Sequence, residues 1–246
     1  DDEIDFTPYL NAINKVSSGD ESIRQPSIEF LQSCTFKLEL LGIFEHLFKT
    51  VLPDHSISSC YFSLLVLRDL IANRGCLLQP GDVLTHVNNL FEIGNDHADF
   101  LATSTTLGNI FADSLSISIR FLLESRIQLK LIVDPLYNFY QKSDYHKIII
   151  ITTIISIIDV VHLKMKHVSA KALTNLIRDF NRTYANVFLD FAFECFLISQ
   201  EDHIPDKVPV LNLLGIKLFS QLCQTTDFQI SSINQNHFKL DNGKSS

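Results

Sequence analysis

The segment ISSCYFSLLVLRDLIAN, residues 57–73, sets Cys60, Leu64, Leu67 and Ile71 three or four positions apart, on one face of a helix. The earlier segment DESIRQPSIEFL, residues 20–31, leads into another apolar helix and ends on Leu31. A helix with one apolar stripe is stable only when that stripe is buried against a neighbour. Residues 8–73 supply such segments in succession, which predicts paired helices stacked on one another. Arrays of that kind usually serve to hold partners.

Composition extends this reading to the whole chain. The 246 residues are 46% hydrophobic, enough to bury a full core as one domain or one continuous array. Eight glycines and seven prolines are too few for the many turns of a β-sandwich or barrel, whereas about ten long helices need few. The fold class expected is all-α. The formal net charge of −8 argues against direct nucleic-acid binding, which needs a basic footprint. It suits basic protein partners, and equally plain solubility.

Thr7-Pro8 reads as an N-cap followed by proline in the first turn of a helix ending near Val16. Pro26 should kink or restart the next helix. From Phe36 to Leu52, Leu40, Phe44, Leu47 and Val51 form a stripe, with Glu45 and Lys49 paired outside it. Asn73-Arg74-Gly75 reads as a left-handed cap closing the helix of residues 57–73. Helices over 83–93, 97–112 and 115–133 follow, separated first by Gly94-Asn95-Asp96, and Asp134-Pro135 opens a short segment to Tyr140. Residues 144–166 carry an isoleucine-rich helix; a buried strand over 148–158 competes, but the apolar run continues too far for one. That run is interrupted by Thr152, Thr153, Ser156, Asp159 and His162, so no membrane span is expected. Over 169–199, Leu173, Ile177, Phe180, Tyr184, Val187, Phe191, Cys195 and Ile198 recur at helical spacing, predicting one long helix, and a last helix covers 207–224. Residues 1–226 thus read as a helical-repeat domain and 227–246 as a polar, flexible tail.

Short connections place successive helices antiparallel. The spacing of pairs, about 40 residues, lies in the range of HEAT and armadillo units, although no strict period repeats. The architecture expected is a HEAT/armadillo-like α-solenoid, with a closed helical bundle as the alternative.

The first 75 residues resemble the N-terminal region of the importin-β (karyopherin) family of nuclear transport receptors. Asp20, Arg24, Ser27 and Leu31, with Glu29 between, match the family's recurrent repeat element, and Ser63, Leu67-Arg68, Ile71 and Asn73 match its following helix. Pro26 and the lack of any tryptophan depart from that pattern. The resemblance implies a nuclear transport role, binding cargo or a small GTPase, for a chain that is a fragment or a diverged relative.

Several constellations have the residue types of a site. Asp1-Asp2-Glu3-Ile4-Asp5 spells an aspartate-rich metal–diphosphate motif, but no partner motif follows and a solvated end is the simpler reading. Asp159 and His162, with His167 nearby, offer a metal-ligand spacing without the second pair that bundle sites use. Asn95, Asp96, His97 and Asp99 read as helix capping. The sequon at Asn181-Arg182-Thr183 falls mid-helix. Of the five scattered cysteines, Cys34, Cys60, Cys195 and Cys223 read as reduced core residues of a cytoplasmic or nuclear protein, and Asp1-Asp2-Glu3 is the wrong chemistry for a signal peptide. The one basic stretch is Lys164, Lys166, His167, Lys171, Arg178 and Arg182. It suits an acidic peptide, a phosphate or a lipid head group, or is a solvated helix end. Arg68 and Arg74 form a second, smaller patch. The expectation is a non-enzymatic scaffold for protein partners that needs no cofactor, with an adaptor or regulatory subunit as the alternative.

Overall fold

The computed structural model describes residues 5–52, 54, 56–125, 130–159, 170–198 and 203–225, and these are all-helical. In chain order the helices are α1 (Thr7–Lys15), α2 (Glu21–Cys34), α3 (Leu41–Val51), α4 (Ile57–Arg74), α5 (Pro80–Asp96), α6 (Ala98–Thr103), α7 (Thr105–Glu124), α8 (Lys130–Tyr140), α9 (Asp144–Ile158), α10 (Ala170–Phe196) and α11 (Val208–Thr225). Short 3₁₀ turns at Leu38–Leu40 and Gly75–Leu77 precede α3 and follow α4. None of the helices among the described residues is long and apolar enough to cross a membrane. The expected tail, 227–246, lies outside the described residues.

The predicted stripes are buried. Phe44, Leu47 and Val51 line the inner face of α3, with Leu40 buried in the turn before it, and Cys60, Leu64, Leu67 and Ile71 line that of α4. Helix α4 packs on α3 and α7, α7 on α9, and α9 on α11, while α5 packs on α7, α8 on α9 and α10 on α11. Helices with neighbours on several sides are apolar nearly all round, as a helix must be when no side meets water. That is why α9 holds Ile148 to Ile151, Ile154, Ile155, Ile157 and Ile158 buried, and why this β-branched run folds as a helix. Buried hydroxyls satisfy themselves on their own helix: Ser114 donates to the Ile110 carbonyl, Ser118 to Ser114, and Thr153 to Ile149.

The residues of the importin-β-like element act locally. Asp20 caps α2, its carboxylate accepting from the Ser22 amide at 2.9 Å. Arg24 pairs with Glu21 on the exposed face. Ser27 and Leu31 are buried. On α4, Ser63, Leu67 and Ile71 are buried, Arg68 pairs with Asp69 at 2.6 Å, and Asn73 donates to Thr35.

Several boundaries differ from expectation, each for a local reason. Helix α1 is capped from outside, by the Asp5 carboxylate on the Thr7 amide. Pro26 lies within an uninterrupted α2. Gly75 is right-handed (φ −56°, ψ −28°) and is no left-handed cap; a Cβ there would come within 2.7 Å of the Phe121 ring. Gly94 does not end α5 but lets it meet Phe111, again within 2.7 Å of a Cβ. The helix predicted over 97–112 breaks at Ser104, whose extended backbone and hydroxyl cap start α7. Helix α7 therefore ends at Glu124, and α8 starts before Pro135. Helix α10 is kinked at Tyr184 (φ −110°, ψ 15°) instead of running as one regular helix. Helix α9 ends at Ile158, and residues 160–166 lie outside the described residues. Glu45 bonds His86 and Asn89 on α5 instead of facing Lys49. Cys223 is exposed, unlike Cys34, Cys60 and Cys195.

Candidate partner-binding surface

Most of the predicted basic stretch lies outside the described residues: Lys164, Lys166 and His167 wholly, and Lys171 and Arg178 by their side chains. Arg182 is exposed on α10. The smaller patch is engaged within the protein, Arg68 with Asp69 and Arg74 with the Phe36 carbonyl at 3.2 Å and over the Phe36 ring. Of the metal-like sets, residues 1–4, His162 and His167 lie outside the described residues. Among the described residues there is no cluster of His, Cys, Asp or Glu able to hold a metal. The Asn95–Asp99 cluster does not cap as expected: His97 starts α6 with no side-chain cap, and Asn95 accepts from Lys142.

The structure instead opens a cleft of about 400 Å³ between α8 and α10. Val133, Asp134, Tyr137 and Asn138 line it from α8, and Tyr184 and Val187 from α10. On a helix, positions 134, 137 and 138 share a face, so three polar groups reach one opening. The kink of α10 falls on Tyr184 itself. Tyr137 is half-exposed and its ring lies 5.9 Å from Phe191, which stacks at 3.8 Å on buried Tyr140. The Tyr184 phenol is pushed up by burial and then by the carboxylate of Asp134, which lines the same cleft. Among the described residues Asp134 pairs with the exposed ammonium of Lys130 at 3.9 Å.

A second polar centre is sealed between α7 and α9. Arg120 is fully buried and donates to the carbonyls of Ser156, Ile157 (3.0 Å) and Asp159 (3.0 Å). Ser156 and Ile157 lie in the last turn of α9, where carbonyls run out of helix amides, and Asp159 follows it, so the guanidinium caps the helix end with charge-assisted bonds. Burial lowers the Arg120 pKa to about 10, with Asp113, Asp159 and Glu124 holding it up, so it stays charged at neutral pH. Asp113 accepts from Ser156 at 3.0 Å.

Glu124 lies one turn beyond Arg120, and burial raises it from 4.5 to about 7 against the pull of that guanidinium. Between 4.5 and about 7 the folded protein holds a proton that the unfolded chain has released, so stability falls as pH rises through this window and levels off above it. Glu124→Gln is expected to flatten that slope and to add about 1 kcal/mol at pH 8, a value reduced for partial solvent screening. Urea midpoints of both proteins from pH 4.5 to 8 read the effect; parallel curves would refute it.

The remaining buried polar groups tie helices together. Lys147 pairs with Glu194 at 2.6 Å, and Asp144 accepts from His203 at 2.7 Å and from the Ile204 amide at 2.9 Å. Burial pushes the Cys195 and Cys60 thiols up to about 11, so both are protonated and poor nucleophiles at neutral pH. Sequence reasoning placed Tyr184 in a core stripe and missed the cleft. The available signal was the polar face of Asp134, Tyr137 and Asn138, and its partner lies about fifty residues away in the chain.

Comparison with protein-family models, with curated proteins and with solved structures finds no match to the chain.

Proposed function

We propose that this chain is a non-enzymatic scaffold that holds protein partners, built from helix pairs stacked as an open solenoid. The row α4–α7–α9–α11 carries the reading: each member packs on the next and receives its own outer helix, α3, α5, α8 or α10. In such an array every pair buries its apolar face against its neighbours, and the outer surfaces are left for partners. Along α11, Val210, Leu213, Ile216 and Phe219 stay exposed, an apolar surface of the kind that marks interaction sites. The importin-β-like residues in α2 and α4 suggest a narrower form, a nuclear transport factor that works in cytoplasm and nucleus and engages a small GTPase. A closed adaptor or regulatory subunit is the second reading, favoured by the packing of α10 on α7 and α9 as well as on α11.

Affinity capture followed by cross-linking mass spectrometry tests the proposal. The expected result is a stoichiometric protein partner cross-linked to at least two successive helix pairs. Recovery of the chain without any partner, or contacts confined to one terminus, would contradict it.

A further inference from the structure

We infer that the cleft between α8 and α10 is a docking site for a cationic side chain, arginine or lysine, of a basic peptide segment in a protein partner. The inference rests on the scaffold reading and specifies the chemistry of one of its surfaces. Three observations carry it. The lining combines one carboxylate, Asp134, with two tyrosine rings, Tyr137 and Tyr184, and the Asn138 amide, and none of the described residues that form it is basic. Aromatic faces attract a cation through the ring quadrupole, and a carboxylate beside them adds charge and a hydrogen-bond acceptor. The volume, about 400 Å³, lies at the small end of ligand pockets and suits a single long side chain, whose methylenes meet Val133 and Val187 while its charged end reaches Asp134. The chain's net charge of −8 favours approach of a basic segment over an acidic one.

The site also contains its own competitor. Lys130 lies 3.9 Å from the Asp134 carboxylate, one turn away on α8, and is largely exposed. Such a pair is weak and readily displaced, so an incoming guanidinium or ammonium takes over the carboxylate. Arginine should bind better than lysine, because its planar guanidinium stacks on tyrosine while bonding the carboxylate through two N–H groups.

The test uses the full chain and the blocked pentapeptide Gly-Ser-Arg-Ser-Gly, with versions carrying lysine, the neutral isostere citrulline or glutamate at the centre. Binding is followed by the aromatic NMR signals of Tyr137 and Tyr184. The arginine peptide is expected to shift both rings saturably, and citrulline to bind at least about fivefold more weakly, the scale of one cation–aromatic and one ionic contact. Asp134→Asn should weaken the arginine peptide by about fivefold, and Lys130→Ala should strengthen it by about twofold. Asp134 and Lys130 are both exposed, so each variant is expected to keep the native spectrum elsewhere. Equal binding of arginine and citrulline peptides, preference for glutamate, an Asp134→Asn variant as good as the parent, or no saturable shift with any peptide would each overturn the inference. None of these outcomes bears on the scaffold reading, which the cross-linking result decides separately.

Discussion

Arg120→Ala is expected to destabilise the fold by about 4 kcal/mol, among the largest losses a single substitution can cause here. The truncation removes the donor shared by the Ser156, Ile157 and Asp159 carbonyls, leaving the end of α9 without its guanidinium cap. It also opens a cavity at the α7–α9 contact, where Arg120 is one of the largest fully buried side chains. Asp113, Asp159 and Glu124, which hold its charge up, then lose that compensating cation. Arg120→Met restores volume but no donor, and should recover no more than about half of the loss. Urea unfolding reads both variants as shifts in midpoint at constant slope. An Arg120→Ala loss below about 1 kcal/mol would mean that the buried guanidinium contributes nothing net.

Gly215→Ala is expected to lower stability by about 2 kcal/mol, the reverse of what helix propensity alone dictates. Alanine in place of glycine normally gains about 0.8 kcal/mol inside a helix. At position 215 the added Cβ would sit 2.6 Å from the Ala192 carbonyl oxygen, 2.9 Å from the Phe196 nitrogen and 3.2 Å from the Cys195 Cβ. Two of those contacts are backbone, so the helices themselves must separate, loosening the α10–α11 pair. Gly42 in α3 has nothing within 4 Å of an added Cβ. Gly42→Ala should therefore raise the melting temperature slightly, while Gly215→Ala lowers it by about 4–8 °C. Shifts of the same sign would show that α10 and α11 do not approach at Gly215.

What the sequence disclosed and what it hid divide along a physical line. The helical character was legible because the stripes of α3, α4 and the second half of α10 depend only on spacing within one segment. The glycines were misread because their purpose is tertiary. Gly75 read as a left-handed cap and Gly94 as a helix end, yet Gly75 ends α4 in a right-handed conformation, and each makes room for a phenylalanine that arrives from another helix, Phe121 and Phe111. The cap at Ser104 was missed because the apolar pattern runs on across it. Cys223 read as core, yet it is exposed. The cleft and the Arg120 centre were invisible for the same reason as the glycines, since each joins side chains from two helices that no local pattern relates. The candidate basic stretch was readable as charge alone, and charge alone does not say where a side chain lies.

The open stack is the central claim, and the distance across the row α4–α7–α9–α11 tests it most directly. Neighbouring helix axes lie about 8–10 Å apart, so three steps along a row put α4 and α11 roughly 24–30 Å apart. Closing the same four helices into a bundle brings them within about 8–14 Å. Spin labels at Asp69 on α4 and Lys217 on α11, with the exposed Cys76 and Cys223 replaced by serine, report that separation by pulsed electron resonance. The stack predicts a distribution centred above about 24 Å, and one centred below about 18 Å would contradict it.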